Sequence, residues 1–266
     1  MNNNPAVAIK NLSFSFGVAP ILKQVNLQIE TGKFYAVLGP NGSGKTTLLR
    51  TIAKLLEVKP DTIFINDQDI DHIRQKNLAK ELAVVPQNTE VQFDFSVLDL
   101  VLMGRAPYLG RFATEGKADL ELAREAMELT GTWELRDRTI QTLSGGERQR
   151  VIIARAITQN TGIILLDEPV SHLDLYHQIE ILKQLKTLNR NKGVTVLAVF
   201  HDPNLAAAFS DYLIFMKQGK VHSIGAPEDI LTQELIKEIY GVEVEIITGP
   251  EDGRVYLIPK LKGHRP

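Results

Sequence analysis

The sequence predicts an α/β protein: a largely parallel sheet, preceded by an antiparallel β subdomain and interrupted by an inserted α-helical subdomain. Apolar runs of strand length, Phe34–Leu38, "IILLD" (163–167) and "VTVLAVF" (194–200), alternate with stretches of helical periodicity, the mark of strands covered on both faces. The residues before Phe34 instead carry short alternating stretches broken by Gly17, Pro20 and Gly32, as antiparallel strands do. Between about Asn88 and Gln141 β-branched runs become scarce and helical spacing takes over.

Taken in order, the strand Phe34–Leu38 enters a glycine-rich loop, "LGPNGSGKTTLL" (38–49). Leu48, Leu49, Ile52, Leu55 and Leu56 then recur at helical spacing, so a helix is expected to run toward Pro60, which forbids its continuation. "VLDLVLMG" (97–104) reads as a helix, followed by a bend rich in Gly, Pro and Tyr and by a second periodic stretch, "GKADLELAREAMELTG" (116–131). Further helices are expected from about Glu147 to Ile157 and near Leu175 to Leu188. "DYLIFMKQGKVHSIG" (211–225) reads as a hairpin turning at Gln218-Gly219, with a short helical tail after it. The organisation expected is one domain, with 1–87 and 146–240 as core plus β subdomain, about 88–145 as helical subdomain, and 241–266 as a short C-terminal extension. No internal repeat, low-complexity tract or heptad pattern occurs.

Composition narrows the function. With 266 residues, 44% hydrophobic and 23% charged, the chain can bury a sizeable core. A net charge of -2 gives no basis for bulk binding to nucleic acid, and no nucleic-acid partner is expected. The absence of cysteine excludes disulfides, thiolate metal sites and thiol nucleophiles. The start, "MNNNPAVAIK", lacks the features of a signal peptide, and no apolar run approaches the roughly 20 residues of a membrane span. Membrane association is therefore expected to come through a partner.

The loop itself matches G-x-x-x-x-G-K-[ST]: Gly39, Pro40, Asn41, Gly42, Ser43, Gly44, Lys45 and Thr46, followed by Thr47. Glycines let backbone N–H groups wrap around phosphate oxygens, and the helix that starts there adds the positive end of its dipole. Lys45 would place a point charge on the β- and γ-phosphates and Thr46 a hydroxyl on Mg²⁺. "IILLDEP" ends a buried strand in two carboxylates at the edge where open α/β sheets hold ligands. Asp167 would support the Mg²⁺ shell and Glu168 polarise an attacking water. Taken alone, Asp-Glu-Pro is more simply a helix cap; the upstream phosphate loop tips the reading.

"LSGGERQR" (143–150) supplies a second anion-binding helix start in Ser144, Gly145 and Gly146, with Glu147 in the first turn. Two such starts are a surplus for one nucleotide. A symmetric head-to-tail dimer resolves it, each copy offering its second start to the other copy's ATP. An ordinary Ser N-cap is compatible with the same residues.

Together these stretches resemble the nucleotide-binding subunits of ABC transporters, over nearly the whole chain. "GPNGSGKTT" resembles their Walker A loop, "VVPQ" their Q-loop, "LSGGERQR" their signature motif, "IILLDEP" their Walker B strand, "SHLD" (171–174) their D-loop and "VFHD" their switch histidine. The resemblance implies that Gln87 reaches Mg²⁺ and the attacking water, that His201 contacts the γ-phosphate, that Asp174 communicates across the dimer, and that Phe16 stacks on adenine. His201 also follows a buried strand and precedes Asp202-Pro203, a cap and a favourable first helical residue, which puts its ring at the nucleotide edge. His172 stands where the D-loop usually has a small residue and receives no catalytic role.

The resemblance further implies transmembrane permease subunits, docked on the region after Gln87, and indirectly a substrate-binding protein, with this chain peripheral at the cytoplasmic face of the membrane. "VLDLVLMGRAPYLGRF" and the closing "IYGVEVEII" (239–247) are similar to the ATPases of metal-chelate importers, for ferric siderophores, haem or cobalamin. The alternatives are a soluble ABC ATPase of iron-sulfur cluster assembly and a transporter subunit for another cargo. A chromosome-maintenance ATPase would need long coiled-coil arms, a translation factor two cassettes, and a kinase would leave "LSGGERQR" unexplained.

Overall fold

The computed structural model describes residues 5–88, 93–111, 113–171, 173–249 and 253–260. His172, Phe112 and the start of the stretch after Asn88 lie outside the described residues.

Two long strands, β1 (Pro5–Phe16) and β2 (Ala19–Glu30), form the antiparallel pair expected of the opening segment. They turn at Gly17, whose φ of 57° suits a residue without Cβ. The strand β3 (Phe34–Leu38) then runs into the glycine loop and the helix α1 (Lys45–Ile52). This helix stops well before Pro60. Lys54 turns to φ 55°, and its Nζ donates to the carbonyls of Ile70, Asp71 and Ile73 at 2.7, 3.0 and 2.9 Å. A distant turn that offers three carbonyls to Lys54 thus holds the end of the helix, and Leu55, expected on its buried face, is 60% exposed.

The chain next adds β4 (Ile63–Ile65) and β5 (Gln68–Asp69) to the antiparallel sheet, in the order β2-β1-β4-β5. The helix α2 (Gln75–Glu81) and β6 (Leu82–Val85), for which the periodicity gave no separate signal, lead to Gln87. The expected helical region follows as α3 (Val97–Leu102), a 3₁₀ turn over Met103–Tyr108, and α4 (Lys117–Leu129). α5 (Gly145–Thr158) returns to β7 (Ile163–Asp167), then α6 (Leu175–Lys192), β8 (Thr195–Val199), α7 (Pro203–Phe209), and the hairpin of β9 (Tyr212–Lys217) and β10 (Lys220–Gly225). Its turn is at Gln218-Gly219, both at positive φ. The tail is more than helical. After α8 (Pro227–Ile230) and α9 (Gln233–Tyr240), β11 (Val244–Thr248) and β12 (Val255–Pro259) pair as an antiparallel ribbon.

The main sheet has the order β10-β9-β3-β8-β7-β6, parallel throughout except for the β10 edge. Alternate residues of its strands feed two cores. Phe34, Ala36 and Leu38 of β3 pack with α5 and α6 on one face, while Tyr35 and Val37 pack with α1 and the antiparallel sheet on the other. Full burial of side chains such as Phe34 and Phe215 contributes about 1.5–3 kcal/mol each. Because β3, β8, β7 and β6 are parallel neighbours, whatever follows their C-terminal ends is gathered along one edge: the glycine loop, His201, Asp167 with Glu168, and Gln87.

Candidate nucleotide site

The loop after β3 is shaped by its glycines. Gly39 has φ 146°, and a Cβ there would lie 2.2 Å from the Met216 carbonyl oxygen on β9, so only glycine lets the loop cross the sheet edge. Gly42 has φ 76° with open space around it, so its requirement is conformational. Gly44 caps α1 with no side-chain hydrogen bond, and no acidic residue occupies the first turn. The first N–H groups of the helix therefore face the cleft without a protein acceptor supplied by a cap.

Lys45 is folded back into this loop, its Nζ donating to the carbonyls of Gly39 at 2.8 Å and Pro40 at 3.1 Å. Burial lowers its pKa, opposed by the charges of Glu168 and Asp167. Thr46 Oγ1 donates to Asp167 Oδ1 at 3.1 Å, and burial raises the Asp167 carboxyl above its ordinary range against that bond. Ser43 Oγ, within the loop, is buried with no hydrogen-bond partner in the protein, a polar atom that a bound phosphate oxygen would satisfy.

Glu168 is held at φ 54°, a left-handed conformation that costs a non-glycine residue about 1–2 kcal/mol. Its Oε2 accepts from Gln87 Nε2 at 2.9 Å and its Oε1 lies 2.6 Å from His201 Nε2. Three strand ends thus deliver one three-residue cluster. Together with Asn41, Gly42, Gly44 and Lys45 to Thr47, these side chains line a cleft of about 480 Å³. As expected, His201 precedes a Pro-initiated helix capped by Asp202, whose carboxylate accepts from Asn204 N at 2.7 Å.

Other expected residues lie apart. Ser144 caps α5 in a reciprocal box: its Oγ accepts from Glu147 N at 3.3 Å, and its own N donates to Glu147 Oε2 at 2.8 Å. The Ser144 N–H and, at 2.8 Å, the Ser144 hydroxyl both donate to Glu147 Oε2 and hold that carboxyl below its usual range. A Cβ on Gly145 would meet nothing within 4 Å. Asp174 caps α6, accepting from His177 N at 2.9 Å. None of Ser144, Gly145, Gly146, Glu147 or Asp174 lines the cleft. Phe16 also stays outside, 53% exposed and edge-on to Phe14; Ile21 lines the cleft instead. Sequence reasoning had no signal for Ile21, which reaches the site only through strand pairing. It also missed Gln149, buried, whose Nε2 donates to the Pro169 carbonyl at 2.9 Å and braces the turn after Glu168.

Among the described residues no group of three or more His, Asp or Glu side chains forms a metal cage. Thr46 lines the cleft and its hydroxyl is bonded to the buried carboxylate of Asp167, a hydroxyl–carboxylate pair that suits Mg²⁺ carried in on phosphate oxygens and water.

A phosphate loop, a paired-carboxylate strand and a capped Ser-Gly-Gly helix on this sheet define a class of proteins, the ATP-binding cassettes. The chain belongs to the ABC transporter family, whose profile matches residues 22–171. Like the cassettes of that family, it binds and hydrolyses ATP.

Within the family, the chain is 39% identical over 250 residues to the ferric enterobactin transport ATP-binding protein FepC of Escherichia coli (strain K12), covering 94% of this chain and 92% of that protein. It is 37% identical over 249 residues to the iron(3+)-hydroxamate import ATP-binding protein FhuC of Bacillus subtilis (strain 168), covering 94% and 93%. A metal-chelate type ABC transporter in an inward-facing conformation superimposes with a TM-score of 0.83 at 30% identity, over 97% of this chain and 99% of that one. The dimeric cassette MJ0796 superimposes with a TM-score of 0.75 at 30% identity, over 83% and 98%.

Proposed function

We propose that two copies of this chain close head to tail on two ATP molecules and thereby drive an importer of iron-siderophore or similar metal chelates. The observation that carries this reading is a division. Gln87, Glu168 and His201 meet at one cleft, while Ser144 and Gly145 present a second helix start that lies outside that cleft and is closed by its own Glu147 cap, with open space in front of Gly145. The relatives' printed roles in ferric enterobactin and iron-hydroxamate transport support the cargo class.

In this reading Gly39 to Thr47 and the α1 amides hold the phosphates, with Lys45 exchanging its two carbonyl partners for them. Thr46, Asp167 and Gln87 would hold Mg²⁺, which when bound neutralises phosphate charge. Glu168 takes the proton of the attacking water at one carboxylate oxygen, and His201 turns from that carboxylate to the γ-phosphate. Ser144 to Glu147 approach the partner's ATP, Asp174 faces the dimer seam, and Phe16, exposed outside the cleft on the strand paired with that of Ile21, covers an adenine that extends past the cleft.

The chain acts as one domain, with residues 88–145 as its helical arm. Among the described residues no helix is long and apolar enough to cross a membrane. Attachment at the cytoplasmic face of the membrane therefore comes from permease subunits, docked on the surface that exposes Phe93, Met103 and Tyr108; a separate binding protein supplies cargo to them. The reading is tested by ATPase rate against protein concentration. A rate rising more steeply than the concentration supports the dimer, and strict proportionality over a hundredfold range overturns it.

A further inference from the structure

Arg105, in the Met103–Tyr108 turn, is only 8% exposed although its side chain is permanently charged. Its Nε donates to Asp119 Oδ1 on α4 at 2.8 Å, and its Nη1 donates to the carbonyls of Thr158 and Gln159 at 3.2 Å each, where α5 ends. The guanidinium also lies over the Tyr108 ring, 4.0 Å from its centroid. Next to it, Gly104 packs so closely on α5 that a Cβ would lie 2.4 Å from the Arg155 carbonyl oxygen. Gln159 continues the link, donating to the carbonyls of Ala79 at 2.5 Å and Leu82 at 2.9 Å. One side chain therefore fastens α4, the turn and the foot of α5, and through Gln159 the core at α2 and β6.

The other end of α5 carries Ser144. A helix of 14 residues is a rod about 21 Å long, so a small tilt at its foot is magnified at its tip. We propose that Arg105 is a positioning residue: by fixing α4 and the Met103–Tyr108 turn to the foot of α5, it sets the angle at which Ser144 meets the nucleotide of a second copy. This rests on the dimer reading above. Met103 and Tyr108 are part-exposed on the same turn, so a partner pressing on that surface moves the joint directly. Only arginine serves, because its acceptors lie in different directions around a planar group stacked on a ring, and the point charge of lysine cannot satisfy them together.

The test uses the full chain with Arg105→Lys and, keeping the shape of the other partner, Asp119→Asn. Protomer affinity for ATP should stay within about twofold of wild type, because the phosphate loop is untouched. The protein concentration giving half-maximal specific ATPase activity should rise fivefold or more. Wild-type values of that concentration in both variants would overturn the proposal, as would a parallel loss of nucleotide affinity in both, which marks a general structural role. A wild-type rate strictly proportional to protein concentration would instead remove the dimer reading, and the proposal with it.

Discussion

The carboxylate of Glu168 is held between His201 Nε2, 2.6 Å from one oxygen, and Gln87 Nε2, 2.9 Å from the other. The three residues come from the ends of β7, β8 and β6, which lie side by side in the sheet. With both oxygens engaged, the carboxylate is oriented and held away from bulk solvent; proton abstraction requires one of these contacts to open. A backbone at φ 54° keeps the side chain there at some conformational cost, as expected of a site organised for chemistry.

Glu168→Gln should retain ATP affinity and lose hydrolysis by about 10²- to 10⁴-fold, the range contributed by a positioned general base. It should also accumulate an ATP-bound dimer, visible by gel filtration. A normal steady-state rate would remove Glu168 from the role of base.

Lys45→Ala should weaken ATP binding. Hydrogen bonds to charged groups contribute about 1.5–3 kcal/mol, which corresponds to roughly 10- to 150-fold in affinity. Isothermal titration reads this directly, and unchanged affinity would count against the cradle built by Gly39 and Pro40 around that ammonium.

Asp167 gives a pH dependence. Burial raises its pKa in the folded chain, so the folded state binds that proton more tightly than the unfolded one. The resulting stability is complete below the unfolded value, about 3.9, and is lost as pH rises through the raised native value. At pH 7 the ionised group therefore burdens the nucleotide-free protein. Asp167→Asn should melt higher than wild type at pH 7 without nucleotide, with the difference closing toward pH 4. Calorimetric melting across that range checks it, and a variant less stable at pH 7 would contradict the assignment.

Gly145→Ala separates the protomer from the dimer. Its Cβ would enter open space, and alanine is the better helix former, so the melting temperature should hold or rise. Hydrolysis should still fall by roughly 10²-fold, because the displaced helix start meets the second copy's triphosphate out of position. Full activity in this variant would argue that nothing approaches Gly145.

The features legible in the sequence are those whose physics is local. The phosphate loop is one contiguous backbone segment, so its glycines and Lys45 announce it directly. Caps such as Ser144 with Glu147, and Asp202 ahead of Pro203, are satisfied within three residues and could be read in the same way. The end of α1 was not legible, because it depends on Lys54 finding carbonyls 16 to 19 residues further on. The β11–β12 ribbon was not legible either: the sequence offered a short helical tail and a short C-terminal extension, not a paired ribbon.

Residue order alone determined the α/β class, the phosphate loop and the family to which the chain belongs, since each rests on neighbours along the backbone. Tertiary structure alone decided that Gln87, Glu168 and His201 share a single carboxylate, that Ile21 rather than Phe16 lines the cleft, and that Arg105 ties α4 to α5. The longest of those hydrogen bonds, from Gln87 to Glu168, joins residues 81 positions apart. Which distant strands become neighbours is set by packing both faces of the sheet at once, a constraint that no short window of sequence contains.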